Sequence, residues 1–291
     1  MPEKLNSLIL DFACRMAEEA GAKAILLYSD VCCEPEVFDS RETSDCEIIL
    51  VSRGAVPIPE RFREKGLYIN IPQVNLTRMG EVKVAVTKGI ASGLLSKGDK
   101  VVCLTGLPKL GYIDTVLLID VGREFEILTS DFISGVFDTA FPEVFEAVLN
   151  IALELGAQGR EGRPVGTIFV LGDHDRVLQF SRQMIINPFK GYTEEERNVL
   201  NPALKETIKE FSALDGAFII KDNGVLVSAG TYLNAALEGK EFPKGLGSRH
   251  IAAAGVTGAT NAISIVVSET AGTVRIFKKG KVFVSIEKSV E

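Results

Sequence analysis

Three short polar segments interrupt the apolar last third of this 291-residue sequence: Asp215-Gly216-Ala217, Gly247-Ser248-Arg249-His250 and Ser268-Glu269. A carboxylate can bind a divalent cation or accept a proton from a hydroxyl group. An arginine beside free backbone amides at a helix start suits a phosphate. The sequence has only two histidines, His174 and His250, and the second follows that arginine. Together these side chains could form a site for a metal ion and a nucleoside triphosphate.

Each segment also has a simpler interpretation. An Asp-Gly pair such as Asp215-Gly216 is a common turn signal. Ser248 suits the cap of a helix, with an exposed arginine and a packed histidine after it, and Ser268-Glu269 suits a turn between strands. The residues around Gly247 do not form a Walker phosphate loop, because no Gly-Lys-Ser/Thr follows a four-residue gap. The residues alone leave a phosphate site and ordinary turns as alternatives.

Composition limits the class of protein. Hydrophobic residues make up 46% and charged residues 24% of the chain, and the net charge is -7. This balance predicts a globular protein with a large core, and it argues against broad, charge-driven binding of nucleic acid. A phosphate ligand would therefore need local donors or a metal ion.

The N-terminus and the cysteines favour a cytoplasmic protein. Met1–Lys4 is charged and leads into an amphipathic segment, which is unlike a signal peptide. The longest apolar runs are too short to cross a bilayer, so we expect no membrane association. Five cysteines is an odd number, and the adjacent pair Cys32-Cys33 lacks a zinc-ligand spacing. Reduced thiols in a cytoplasm are the simplest interpretation.

The first half alternates helix and strand patterns. Apolar residues recur at helical spacing from Leu5 to Met16, and Gly21 can end that helix. A second helix is predicted within 76–95. The predicted strands are Ala24–Tyr28, Glu47–Val51, Leu67–Ile71, Val101–Thr105 and Thr115–Val121. Strands separated by helix-length segments predict a mostly parallel α/β sandwich domain.

The second half predicts a mixed or antiparallel sheet flanked by helices. Asn223-Gly224 between apolar runs is a strong hairpin signal, and Thr193 with Glu196 forms a capping box for a helix reaching Phe211. Further helices are predicted at Glu143–Leu155 and Ser248–Ala259. The predicted strands are Val165–Leu171, Ala217–Lys221, Val225–Ala229, Ala262–Ser268, Thr273–Lys278 and Val282–Ile286. We expect domains at 1–125 and 161–291, joined by a connecting segment with a helix at 126–160.

Several ordered elements resemble the diadenylate cyclase (DAC) domain. They are Leu214–Ile220, which contains Asp-Gly-Ala, Leu246–His250, which contains Arg-His, and Ile265–Glu269. Gly162–Gly172 is similar to the strand that opens such domains, and the resemblance covers about residues 145 to 291. Ala20–Ile25 and the segment 97–106 resemble the C-terminal, effector-binding domain of pyruvate kinases. This pairing of domains resembles the archaeal diadenylate cyclases.

The resemblance implies that two ATP molecules are condensed into cyclic di-AMP with release of two pyrophosphates. Two DAC domains would face each other in a homo-oligomer, each holding one ATP. By the same carry-over, Asp215 and His250 would bind Mn²⁺ or Mg²⁺. The catalytic residues would be Asp215, Arg249, His250 and Glu269. The nucleotide-binding residues would be Gly216, Ala217, Leu233, Gly247, Ser248, Arg249, Ser268 and Glu269.

One position departs from the family pattern. The third residue of the family's Arg-His-Arg element is Ile251 here, and isoleucine cannot contact phosphate. Arg275 and Lys278 on the predicted penultimate strand are possible substitutes. Two other functions stay open: a non-catalytic sensor that binds adenine nucleotides, and a phosphometabolite receptor that works through the first domain.

Overall fold

A computed structural model describes residues 2–31, 46–122, 141–234 and 247–289. The chain divides into two compact units, Met1–Gln73 with Arg78–Glu126, and Val74–Thr77 with Ile127–Glu291. The predicted domain boundary near residue 125 falls outside the described residues, as do the Cys32-Cys33 pair and Leu246 of the Arg-His element.

The first unit is a mostly parallel α/β sheet with helices, as predicted. Its helices are α1 (Pro2–Ala20), α2 (Glu60–Glu64) and α3 (Arg78–Ala91), and its strands are β1 (Ala24–Tyr28), β2 (Glu47–Ser52), β3 (Tyr68–Asn70), β4 (Lys100–Thr105) and β5 (Thr115–Asp120). The strand order is β3-β2-β1-β4-β5, and β5 alone runs antiparallel to its neighbour. Every residue of β1 is buried, which explains its unbroken apolar sequence.

A buried polar cluster lies where β1, β2 and β4 end. The Arg53 side chain forms an ion pair with Glu81, and its backbone N–H donates to Asp30 Oδ2 at 2.9 Å. Among the described residues, Tyr28 Oη, Asp30 Oδ1 and Thr105 Oγ1 are buried without a hydrogen-bond partner. Burial raises the pKa of the Glu81 carboxyl, although the Arg53 guanidinium opposes that rise. Buried polar groups normally have partners, so this edge of the sheet has unused hydrogen-bonding capacity.

The second unit is built on a mixed sheet, also as predicted. Its helices are α4 (Pro142–Gln158), α5 (His174–Gln179), α6 (Leu204–Phe211) and α7 (Ser248–Ala259), and its strands are β6 (Thr167–Leu171), β7 (Ser181–Gln183), β8 (Ala217–Ile220), β9 (Leu226–Leu233), β10 (Ile263–Val267), β11 (Val274–Lys278) and β12 (Lys281–Ile286). The strand order is β12-β11-β10-β6-β8-β9-β7. β6 pairs parallel with β8 and antiparallel with β10.

Helix α7 packs closely on this sheet because the helix residues that face the sheet are small. Ala253 and Ala254 are fully buried in a core that includes Ile168 and Val266 of the sheet. Helix α4 contacts β10 and β11. The helix predicted for the connecting segment therefore packs within the second unit.

The prediction of one long helix up to Phe211 is wrong, since residues 194–203 form turns. The expected capping hydrogen bonds do form, because Thr193 N–H donates to Glu196 Oε2 at 2.9 Å and Glu196 N–H donates to Thr193 Oγ1 at 3.3 Å. Pro202 has no N–H for a continuing helix and disfavours helical geometry at Asn201. The helix therefore begins only at Leu204.

Candidate functional site

The predicted site residues meet at one edge of the second sheet because of the strand directions. β6 and β8 are parallel, with Ile168 opposite Ala217, so both strands begin at this edge. β10 runs the other way, with Val267 opposite Thr167, so it ends there. The edge therefore carries the loop before β8 with Asp215, the loop after β10 with Glu269, and the first turn of α7.

Arg249 links the two carboxylates at this edge. Its Nη1 donates to Glu269 Oε2 at 2.8 Å, and its Nη2 donates to Asp215 Oδ1 at 3.2 Å. The Asp215 side chain is 83% exposed, so it is open to solvent and to a ligand. Exposed ion pairs of this kind contribute little to stability, about 0–1 kcal/mol. These ion pairs matter more for binding than for stability. An entering anion can replace a carboxylate on Arg249, and an entering cation can replace Arg249 on a carboxylate.

Gly166, just before β6, leaves room for this arginine. A Cβ atom added at Gly166 would lie 2.7 Å from Arg249 Nη1 and 2.8 Å from Glu269 Cβ. Both distances are too short for van der Waals contact, so only glycine allows Arg249 to lie across the start of β6. From sequence, Gly166 was only part of the segment Gly162–Gly172 that is similar to the opening strand of DAC domains, and it had no predicted role.

Two adjoining clefts open on either side of Arg249. The Asp215 cleft has a volume of about 280 Å³ and is lined by Ile168, Met184, Asp215, Gly216, Ala217, Thr231, Tyr232, Leu233, Ser248, Arg249 and Ala252. The Arg275 cleft has a volume of about 260 Å³ and is lined by Gly247, Ser248, Arg249, His250, Val267, Ser268, Glu269, Thr270, Ala271 and Arg275. All ten residues predicted from sequence line one cleft or the other. Ser248 and Arg249 line both.

The clefts differ in chemistry. The Asp215 cleft has apolar walls from Ile168, Met184 and Leu233, with the Tyr232 ring 43% exposed at its side. Such walls suit a flat, mostly apolar ring. The Arg275 cleft has two guanidinium groups and the first backbone amides of α7, which suit an anion.

His250 is held by Arg275, which the sequence offered only as a possible substitute for the missing second arginine. Its ring is 6% exposed, and its Nε2 lies 3.0 Å from Arg275 Nη1. Burial, followed by the nearby Arg275 and Arg249 guanidinium groups, lowers the pKa of His250 to about 4. The ring is therefore neutral near pH 7. Because an arginine can only donate, Nε2 accepts that hydrogen bond and the ring proton is on Nδ1.

The predicted pair of metal ligands is only partly suited to a metal ion. Asp215 and His250 line different clefts, and the His250 Nε2 lone pair already accepts from Arg275. In the described part of the chain, no three His, Cys, Asp or Glu side chains gather as a metal site would require. Mg²⁺ is often held by one or two carboxylates together with substrate phosphates. Asp215 fits that role, whereas His250 does not in this arrangement.

Sequence analysis missed several residues that line the clefts. Met184 follows β7, a short edge strand whose sequence has no clear strand pattern. Thr231 and Tyr232 precede the predicted Leu233 on β9, and the hairpin signal ahead of them could have indicated their position. Arg275 had been named as a possible substitute for the missing arginine. Its position in the site follows only from the β10–β11 register, which pairs it with Val266.

Family comparisons match both halves of the chain. Residues 154–282 match the model described as "DisA bacterial checkpoint controller nucleotide-binding", also called DAC. Residues 5–129 match the model described as "Probable sensor domain DacZ_P". The first unit is therefore similar to a sensor-domain family. The expected specific likeness to the C-terminal domain of pyruvate kinases is corrected by this match.

Two similar proteins are both named diadenylate cyclase. The one from Methanocaldococcus jannaschii is 38% identical over 203 residues, which cover 69% of this chain and 64% of that protein. The one from Haloferax volcanii is 35% identical over 234 residues, which cover 79% of this chain and 83% of that protein. The match thus spans just under two thirds of the first relative and most of the second.

A solved structure of a DacA double mutant from Staphylococcus aureus is 22% identical to this chain, with a TM-score of 0.31. That match covers 51% of this chain and 87% of the other. Within the described residues, no helix has the length and apolar character needed to cross a membrane.

Proposed function

Because this chain belongs to the diadenylate cyclase family, we propose that it condenses two ATP molecules into cyclic di-AMP and releases two pyrophosphates. Each 3′-hydroxyl oxygen forms a bond to the α-phosphorus of the other nucleotide. The bond from that phosphorus to the bridging oxygen of pyrophosphate breaks, and each hydroxyl loses its proton. The observation that carries the proposal is Arg249, which lies between two clefts and reaches the carboxylates of both Asp215 and Glu269.

The two clefts would bind different parts of one nucleotide. The Asp215 cleft would hold adenine and ribose, with Gly216, Ala217 and Leu233 along its wall. The Arg275 cleft would hold phosphates through Gly247, Ser248 and Ser268. Arg249, at the junction, would then lie beside the α-phosphate. A preorganised guanidinium at the reacting phosphorus stabilises the charge that develops in the transition state.

Asp215 is suited to the attacking hydroxyl. Its Oδ1 accepts from Arg249, so Oδ2 would accept the proton of the 3′-hydroxyl. A divalent ion held by Asp215 and phosphate oxygens would supply further charge neutralisation at the α-phosphate. The choice between Mn²⁺ and Mg²⁺ stays a prediction, as does a metal role for His250. Fixing both reactants removes an entropic cost of about 7–11 kcal/mol, so no strong base is needed.

The symmetry of the product supports a homo-oligomer. One Asp215 cleft with one Arg275 cleft has room for the parts of one nucleotide, yet each hydroxyl must reach the phosphorus of a second. Two copies of the second unit facing each other would satisfy both attacks at once. We also propose a cytoplasmic location, because five cysteines are an odd number that a complete set of disulfides, typical of secreted proteins, cannot use.

A direct assay tests the activity. Purified protein with ATP and Mg²⁺ or Mn²⁺ should form cyclic di-AMP and pyrophosphate in a 1:2 ratio, measured by liquid chromatography and mass spectrometry. A chelator should stop the reaction if a divalent ion neutralises the phosphates. If ATP binds but stays intact with either ion, the chain is instead the non-catalytic nucleotide sensor that Ile251 leaves open.

The first unit is proposed to sense a small molecule. Within the described residues, the Tyr28 and Thr105 hydroxyls of its buried cluster have no hydrogen-bond partner, and such groups suit a ligand that both donates and accepts hydrogen bonds. Arg53 forms an ion pair with Glu81 and bonds Asp30 through its backbone N–H, whereas Arg78, which also acts on Glu81, is paired with Asp114. Because both guanidinium groups already contact carboxylates, the cluster favours a hydroxylated or cationic molecule over a phosphometabolite, the class suggested by the pyruvate kinase likeness.

Thermal shift of the full chain can test this second function. A hydroxylated or amine-bearing metabolite that binds should raise the melting temperature of wild type. It should raise that of Tyr28→Phe less, since this change removes only the unpaired hydroxyl. Stabilisation by sugar phosphates alone, equal in both proteins, would contradict the proposed ligand class.

A further inference from the structure

We propose that Arg275, and not a residue at position 251, is the second guanidinium that contacts the phosphates of ATP in this chain. The inference rests on the proposed function, because it names a further substrate-contact residue of the same site. Its evidence is independent, since it comes from how β11 is placed beside α7.

Position 251 is poorly placed for this contact. Ile251 lies two residues after Arg249, so its side chain points about 200° away around the helix. The side chain is 45% exposed, and among the described residues Ile251 lines neither cleft. An arginine there would start from the side of α7 turned away from the Arg275 cleft.

Lys278, the other candidate on β11, is also poorly placed. Its register partner is Ile263 at the start of β10, whereas the site lies where β10 ends. It is therefore about 10 Å along the strand from Arg275, at about 3.4 Å per residue. Lys278 is 2% exposed, and its ammonium donates to the Asn261 carbonyl oxygen. Its ammonium group is therefore buried in the protein interior and does not face the Arg275 cleft.

Arg275, in contrast, enters the cleft. It pairs with Val266 near the end of β10, and its side chain lines the Arg275 cleft with Ser248, Arg249 and Ser268. Two guanidinium groups thus converge with two hydroxyl groups and the start of α7. A triphosphate has the charge and the many acceptor oxygens that such a set of donors can satisfy.

The partners of the two arginines explain why Arg275 is available. The Arg249 guanidinium is shared with two carboxylates, those of Asp215 and Glu269. The Arg275 Nη1 hydrogen bond goes to the His250 ring at 3.0 Å, and among the ion pairs of the described residues none joins Arg275 to a carboxylate. Its charge is therefore not neutralised by direct contact. His250 acts as a positioning residue that holds this guanidinium toward the cleft.

Binding measured without turnover tests the assignment. Isothermal titration of the full chain in a chelator would compare ATP with adenosine, which has no phosphates. Arg275→Met should weaken ATP binding about 10- to 100-fold, the size of a charged hydrogen bond. It should leave adenosine binding unchanged. Arg275→Lys should recover part of the loss, because it keeps the charge without the planar fork.

Two further variants make the outcome decisive. Arg163→Met, at an exposed residue that lines neither cleft in the described structure, should bind ATP like wild type. Adding Ile251→Arg to Arg275→Met should not restore ATP binding. Restoration by Ile251→Arg, an equal loss of ATP and adenosine, or unchanged ATP affinity in Arg275→Met would each overturn the assignment. No ATP binding by wild type would overturn the proposed function as well.

Discussion

Asp215→Asn should abolish cyclic di-AMP synthesis, with a loss of about 10²- to 10⁴-fold, the usual contribution of a positioned proton acceptor. The amide keeps the shape of the side chain but removes its negative charge. It can no longer accept the 3′-hydroxyl proton or hold a divalent ion strongly. Initial rates of cyclic di-AMP formation, measured by mass spectrometry, give the size of the loss.

The same substitution should leave the fold intact. The Asp215 side chain is 83% exposed, and exposed substitutions usually change stability by less than about 0.5 kcal/mol. Asp175→Asn is a matched control, because that carboxylate is 86% exposed on α5 and lines neither cleft in the described structure. It should keep wild-type activity. Near-normal synthesis by Asp215→Asn would show that the proton goes elsewhere and would remove Asp215 from the proposed mechanism.

Gly216→Ala should strongly destabilise the second unit. The residue has φ of 107°, a backbone conformation that side chains with a Cβ rarely adopt. An added Cβ would also lie 2.6 Å from the Thr231 backbone nitrogen and 2.7 Å from the Gly230 carbonyl carbon. These obstacles are rigid backbone, so β8 and β9 would have to move apart. Strain and overpacking together should cost about 2–6 kcal/mol.

Urea denaturation can measure this cost against a second glycine of the same site. Gly247 has φ of -74°, and a Cβ there would meet nothing within 4 Å. Gly247→Ala should therefore keep an unfolding midpoint close to wild type. Equal midpoints for Gly216→Ala and Gly247→Ala would mean that the β8–β9 approach is less rigid than described.

The regular elements were predictable where apolar spacing and turn signals agreed. The hairpin at Asn223-Gly224 and the helix Ser248–Ala259 formed as expected, because local chemistry decides both. The helix predicted from Thr193 did not form because a capping box fixes only one turn, and Pro202, nine residues after Thr193, disfavours continuation of a helix. β7 was missed because an edge strand of three residues is defined by its partner β9.

The sequence indicated residues that line the candidate clefts, but it did not indicate their contacts. Motif resemblance gave Asp215, Arg249 and Glu269, yet their joining through one guanidinium depends on Gly166, ahead of a strand far earlier in the chain. The role of Arg275 depends on strand register, which the sequence of β11 alone does not specify. Contacts between strands distant in sequence are the part that local patterns do not encode.

The order of strands in the second sheet also bears on how the protein is made. The walls of the Asp215 cleft come from residues between Ile168 and Ala252, and those of the Arg275 cleft come from residues between Gly247 and Arg275. The pair of clefts is therefore complete only when β11 is present. Chains emerge from the ribosome N-terminal end first, so β10, which pairs with β6, is made well after it. The two arginines that converge in the Arg275 cleft can therefore meet only after most of the second unit has been synthesised.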